Sequence, residues 1–316
     1  MKRILQTEKK MKRREFIRKS IQAGTILSAS LTFPGFINNL SKESRSSLPY
    51  DLVAIKGGEP DKMFDEGIKS LGGIKSFVQK NQTVLIKPNI GWDVSPERAG
   101  NTNPKLVARV IEHCYNAGAK KVYVFDHTCD DWRRCYSNSG IEKAVKDAGG
   151  EIVPANSESY YQNVEIKKGR KLKKDKVHEL LLDCDVFINM PILKHHGSTR
   201  LTICMKNLMG TVWDRGYWHR TDLHQCIADF STFRKPDLNI VDAYYVLKSN
   251  GPRGVSMADV VIMKSQIIST DIVAADAAAS KLFGIDPNEI SYINFAYELG
   301  IGNKNLDSLK INRIIL

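Results

Sequence analysis

No C-x-x-C pair occurs in this 316-residue chain, and its six cysteines (Cys114, Cys129, Cys135, Cys184, Cys204, Cys226) are scattered. That spacing argues against an iron–sulfur cluster or a structural zinc framework. Also missing are the G-x-x-x-x-G-K-[ST] phosphate loop, the G-x-S-x-G nucleophile elbow and a G-x-G-x-x-G turn after a strand. Their absence lowers the NTPase, serine hydrolase and ordinary dinucleotide dehydrogenase readings. No internal repeat is visible. An aromatic content of 8% is modest, and the basic charge is badly placed for nucleic acid. Of the formal +12, residues 1–20 hold +7, which leaves +5 for everything after Ser20. A nucleic-acid groove needs basic residues clustered on the folded domain and interleaved with aromatics, so no nucleic-acid partner is expected.

The basic N-terminus has its own logic. KRREFIRKS (12–20) precedes IQAGTILSASLTFPGF (21–36), which carries no charge. This apolar stretch is too short and too polar for a spanning helix. Arg13 and Arg14, followed after one residue by Phe16, Ile17 and Arg18, resemble the twin-arginine (Tat) motif of bacterial export signals. Residues 1–46 are therefore expected to be a signal peptide and polar linker. The Tat export machinery is then a partner, the location periplasmic or otherwise exported, and no membrane span survives processing. No clean A-x-A box marks the cleavage site. Tat passengers travel folded, which hints at a cofactor loaded beforehand. Cys129 and Cys135 flank a polar loop and can pair after export.

What is present from residue 47 onward is alternation. Apolar strand patterns at 51–57, 83–89, 121–127, 151–155, 186–191 and 238–245 alternate with helical periodicity at 61–78, 104–117, 139–150, 176–183, 271–284 and 288–302. Asn103 and Pro104 open the second helix and Gly118 closes it. The pattern predicts an α/β fold: a mainly parallel sheet with helices on both faces. Residues 205–264 break the rhythm, and an inserted or capping subdomain is expected there within a 47–316 domain. The charged run KKGRKLKKDK (167–176) reads as a solvated hairpin leading into a helix.

Ligands of such sheets bind beyond the carboxyl ends of the strands, and four polar clusters fall there. Lys87 and Asn89 end VLIKPN; Asp126 and His127 end VYVFDH; Lys194, His195 and His196 follow VFINMPI; Asp242 ends LNIVD. Lys87 sits inside an apolar strand pattern, so its ammonium either snorkels to the surface or joins a site. Asp126 and Asp242 serve as loop caps or as bases or metal ligands. His195 and His196 point apart on an extended segment, so one of them at most faces a site. Arg200, Lys206 and Asn207 add cations and amides suited to an anion. Asp222 and His224, with His127, supply oxygen and nitrogen to a possible divalent metal, although Asp222 is equally an N-cap.

These motifs in order resemble the DUF362 family: VLIKPN, TNP (102–104), VFDH, INMPILKHH, MKNLMG, NIVDA, NGPRG and STDIVAADAAASKLFGID. The resemblance runs from about Asp51 to Gly302. Many relatives carry an added ferredoxin-like part with a C-x-x-C-x-x-C run; this sequence lacks it, so no iron–sulfur cluster is implied. A looser similarity is to the nickel-dependent lactate racemase group, whose members place Lys and His around a nucleotide-derived cofactor that is not carried over here. The expected function is an exported protein binding a small anionic or phosphate-bearing ligand. In the leading reading it is an enzyme. Lys87, Asn89, Lys194, Arg200, Lys206 and Asn207 hold the ligand, while His195 or His196 and Asp126 or Asp242 move protons. The alternative is a periplasmic binding or cofactor-maturation protein without chemistry.

Overall fold

Ten strands of the chain share one sheet, and the row of polar residues across its middle decides where the cleft lies. A computed structural model describes residues 48–316; the twin-arginine signal expected at 1–46 lies outside them. The strands are β1 (Leu52–Lys56), β2 (Thr83–Pro88), β3 (Lys121–Val124), β4 (Glu151–Ile152), β7 (Val186–Met190), β8 (Ile192–His196), β9 (Arg200–Thr202), β10 (Leu238–Leu247), β11 (Val260–Ser269) and β12 (Ile311–Ile315). Their order is β12-β1-β11-β10-β7-β2-β3-β4, with β8 beside β10 and β9 beside β8. Neighbours run parallel except at β1–β11, β10–β11 and β8–β9. The fold is thus α/β with a mixed, mostly parallel sheet. A separate hairpin pairs β5 (Tyr161–Glu165) with β6 (Lys174–His178).

Alternation along the strands sends apolar side chains to both faces. Val84, Ile86, Val186 and Ile188 enter one core together with α1 (Pro60–Ser70) and α2 (Pro104–Asn116). Leu85, Phe187 and Val241 enter the other, which holds α6 (Cys204–Asn207), α8 (Leu223–Phe230), α9 (Ile272–Phe283) and α10 (Ser291–Glu298). The remaining helices are α3 (Trp132–Asn138), α4 (Ile141–Asp147), α5 (Glu179–Asp183) and α7 (Arg215–Thr221). Among the described residues no helix is long and apolar enough to cross a membrane.

Several expectations need correcting. The helix expected over 61–78 ends at Ser70, because Gly72 and Gly73 take φ of 88° and 83° and leave only a turn at Ile74–Ser76. Residues 174–178 form β6 rather than the start of a helix; only 179–183 coil up, with His178 as N-cap. The segment 205–264 is no separate cap. Its first part supplies α7 and α8, but β10 returns to the centre of the main sheet between β11 and β7. Cys129 and Cys135 are both free thiols, the first exposed and the second buried with its Sγ on Gly91 O.

Candidate functional site

Strand register brings Lys87 of β2 beside Asn189 of β7, and Asn189 beside Asn239 of β10. Three polar side chains thus stand in one row across adjacent parallel strands, all essentially buried. Such a row is costly unless every donor and acceptor is met. Asn207, at the end of α6, meets them: its Nδ2 donates to Asn189 Oδ1 (2.9 Å) and to Lys87 O (3.2 Å), and its Oδ1 accepts from Lys87 Nζ (2.9 Å). Asn189 Nδ2 donates onward to Asn239 Oδ1 at 3.1 Å. Four-residue α6 is too short to stand alone. Asp276 of α9 holds it, accepting from the backbone of Cys204 (2.7 Å) and Met205 (3.1 Å). Burial lifts the Asp276 carboxyl to about 7.

Beyond this row lies a cleft of about 290 Å³. Lys87 Nζ lies 2.9 Å from Asp126 Oδ1 with both side chains buried, and Asp126 Oδ2 accepts from Ile90 N–H at 2.6 Å. Lys194 Nζ donates to Gly100 O (2.6 Å) and Asn89 Oδ1 (3.1 Å). Desolvation, with Lys206 and Lys87 adding repulsion, lowers Lys194 to about 7. Lys206 reaches only the Met209 thioether, at 2.9 Å, and desolvation with Arg215 and Lys87 nearby brings it to about 8. Lowered ammoniums of this kind are the expected result of burial among like charges.

The histidines divide by their partners. His127 Nδ1 lies 3.0 Å from Val212 O. A carbonyl only accepts, so Nδ1 carries the proton and Nε2 keeps a free lone pair. Burial and the neighbouring Arg215 hold His127 below its ordinary value, and Trp213 stacks on it at 5.0 Å. His196 also lines the cleft; its Nδ1 accepts from Ser198 N–H at 3.1 Å, and burial pushes it down to about 3. Both rings stay neutral near pH 7, but only His127 keeps a free lone pair for a base; that of His196 is taken by Ser198 N–H, which makes its Nε2 a donor.

Of the residues singled out in the sequence, Lys87, Asn89, Asp126, His127, Lys194, His196, Lys206 and Asn207 line the cleft. The others do not, each for a local reason. His195 points away and accepts Gly251 N–H on its Nδ1 at 3.0 Å, holding the turn whose Pro252 forms part of the cleft wall. Arg200 is half-exposed and paired with Glu289 at 2.7 Å. Asp242 is buried and accepts from Asn103 N–H (2.7 Å) and Tyr244 N–H (3.0 Å), joining the start of α2 to β10. Asp222 caps α8 through Gln225 N–H, and His224 stacks on Tyr292. His127, Asp222 and His224 are therefore not a metal-ligand set. Among the described residues no group of three or more His, Cys, Asp or Glu could hold a metal ion. The cleft's ammoniums repel a cation, and its carboxylate is already held by Lys87 and Ile90.

Sequence reasoning missed Arg215, His219, Cys129 and Thr202, which also line the cleft. Arg215 donates to His127 O (2.9 Å), Thr128 O (2.7 Å) and Cys129 Sγ (3.4 Å), so it fixes the loop after β3 against α7. Arg215 and His219 stand four apart on one helix face, a spacing visible in WDRGYWH but masked by its aromatics. Of those, Trp218 is buried core and donates to Asp175 Oδ2, whereas Trp213 backs His127.

With this geometry in place, three comparisons can be read. The thylakoid-associated protein sll1697 of Synechocystis sp. is 26% identical over 242 residues, 74% of this chain and 73% of its own length. Among solved structures, the lactate racemase apoprotein from Thermoanaerobacterium thermosaccharolyticum superposes with a TM-score of 0.47 at 11% identity, over 80% of this chain and 59% of its own. The model of a domain of unknown function, DUF362, matches residues 84–281, from β2 through most of α9. That span covers well over half of the sequence and contains the whole lysine cleft, and the chain belongs to the DUF362 family.

Proposed function

We propose that the chain binds a small carboxylate- or phosphate-bearing anion in the cleft and acts on it as an enzyme, exchanging a proton through His127. One observation carries the reading. Lys194, Lys206 and Arg215 line the cleft beside a Lys87–Asp126 pair that is already internally neutral. Among the described residues lining the cleft no further carboxylate balances them, and cations withdrawn from water demand a counter-charge. His127, neutral and with Nε2 free, supplies the base. Lys87 and Asn207, expected to touch the ligand, act mainly by holding the wall in place.

Thermal unfolding of the full-length chain with added sulfate or phosphate, at constant ionic strength, tests the anion site. Each anion should raise Tm by about 2–4 °C once well above its Kd. Lys206→Met should abolish the shift, while His127→Gln should retain it. Loss of the shift in His127→Gln would make that ring a binding group instead of a proton carrier. An equal shift with chloride would sink the site.

The proposal includes export. Arg13-Arg14 ahead of the uncharged 21–36 stretch supports a Tat signal and a periplasmic or otherwise exported location. Replacing both arginines by lysine should trap the protein in the cytoplasm on fractionation of expressing bacteria. Unchanged distribution would refute it.

A further inference from the structure

Donor accounting narrows the ligand. Lys87 Nζ donates to Pro88 O and Asn207 Oδ1 at 2.9 Å and is ion-paired with Asp126 Oδ1 at the same distance, so its charge is met within the protein. Lys194 has two oxygen acceptors, Asn89 and Gly100, which leaves one hydrogen. Lys206 has only a thioether sulfur, a weak acceptor that leaves two more. Among the described residues, then, the buried Lys194 and the partly buried Lys206 hold three hydrogens without an oxygen partner.

We propose that the ligand is a dianion whose oxyanion groups bridge Lys194 and Lys206, and that it binds together with a proton taken from solvent. This rests on the anion-cleft reading and adds charge and proton stoichiometry to it.

The groups coupled electrostatically to these two lysines are Lys87, Asp126, Cys129, His196, Arg215, His219 and His224. Asp126 is matched by Lys87, and Arg215 adds a further positive charge. Burial and nearby cations lower His196 and His219, so they are neutral around pH 7. Among the described residues the favourable fields of Cys129 and Asp126 on Lys194 and Lys206 do not offset their desolvation and the neighbouring cations. In the free protein the two relieve their repulsion by releasing protons as pH passes through about 7 and about 8. A dianion between them favours the charged forms and draws those protons back. A monoanion satisfies one ammonium and leaves the other in the same unfavourable position.

The experiment is isothermal titration calorimetry on the full-length chain near pH 8. It uses two buffers of different ionisation enthalpy at one ionic strength. Sulfate is the first probe, because it is dianionic and does not itself titrate there. Malonate represents dicarboxylates and acetate monoanions. Sulfate or malonate should bind at least about tenfold more tightly than acetate, with uptake of about one proton per ligand. Affinity should fall about tenfold or more between pH 7 and pH 9. Preference for sulfate supports the dianion as a phosphoryl group, and preference for malonate supports it as a dicarboxylate. Lys194→Met and Lys206→Met should each reduce the proton uptake, although the wild-type titration decides the matter without them. Sulfate binding without proton uptake, or acetate binding as tight as sulfate, overturns the dianion and leaves the anion cleft standing. No binding by any probe overturns both.

Discussion

Replacing Gly210 by Ala is expected to destabilise the protein by about 3–5 kcal/mol, the range for breaking a buried ion pair. A Cβ on Gly210 would overlap Asp126 Oδ1 and stand 2.6 Å from Lys87 Nζ and 2.7 Å from its Cε. Gly210 cannot easily retreat. Its carbonyl accepts His127 N–H at 3.0 Å, and it lies inside the tight turn Leu208–Thr211 that continues from α6. Nor can the ion pair swing out to water, since Lys87 and Asp126 are buried and tied to Asn207 and Ile90. One charge must lose its partner. Gly197→Ala is the control: its Cβ would meet nothing within 4 Å, so it should stay within about 0.5 kcal/mol of wild type. Urea denaturation of both variants checks the pair. A neutral Gly210→Ala would mean that the glycine is not there to admit the Lys87–Asp126 contact.

How much of this was legible in the sequence depends on whether a residue violated its local pattern. Lys87 in an apolar strand did so, and so did the cluster from Asn189 to Asn207. Lys87 and, from that cluster, Lys194, His196, Lys206 and Asn207 lie at the cleft, because an ionisable group at a buried strand end needs a reason to be there. The alternation of strands and helices likewise carried the fold class. Residues that obeyed a local rule were ambiguous. Asp222 and Asp242 look like ligands in a string of letters, but backbone amides at Gln225, Asn103 and Tyr244 take their oxygens. His195 and His196 differ only in the face they occupy, which depends on the register of β8 against β9 and β10. Strand β11 was invisible because its first half is apolar yet exposed, with Val261 and Ile262 at 48% and 61%. It therefore shows neither the alternation of a half-buried strand nor the company of a core. Arg215 and His219 were hidden for the opposite reason: their helix is short, aromatic-rich and without a strong period.

The second large effect is the contribution of Lys194 and Lys206 to stability, which rises with pH from about 7 to about 8.5 by roughly 2 kcal/mol. Lys194 and Lys206 titrate near 7 and near 8 in the folded protein, against about 10.4 in an unfolded chain. Across that window the unfolded chain binds protons that the native one has released, so this contribution increases with pH. Lys206 is only partly buried and contributes the smaller share. Other groups act as well, Asp276 and the buried thiols partly inside the same window. Asp175 and Asp242 near 6 and Asp276 near 7 stay protonated in the fold longer than when unfolded. They therefore lower stability as pH climbs from about 4 to 7. His178 near 4 and His196 near 3 oppose them below about 6.5. From about pH 7.5 upward the thiols pushed up by burial, Cys114, Cys135 and Cys184 near 12, Cys226 near 11 and Cys204, hold protons that the unfolded chain loses. They pull stability down as pH rises, so the wild-type profile is shallower than the lysine contribution alone. Denaturation midpoints at half-unit pH steps would trace the curve. The combined Lys194→Met and Lys206→Met variant should lose stability between pH 7 and 8.5, so that its gap from wild type widens by roughly 2 kcal/mol. Saturating sulfate should make the wild type fall in the same way, because a bound dianion keeps both lysines charged. A gap that stays constant across that range would mean that these ammoniums are ordinary, solvated and protonated.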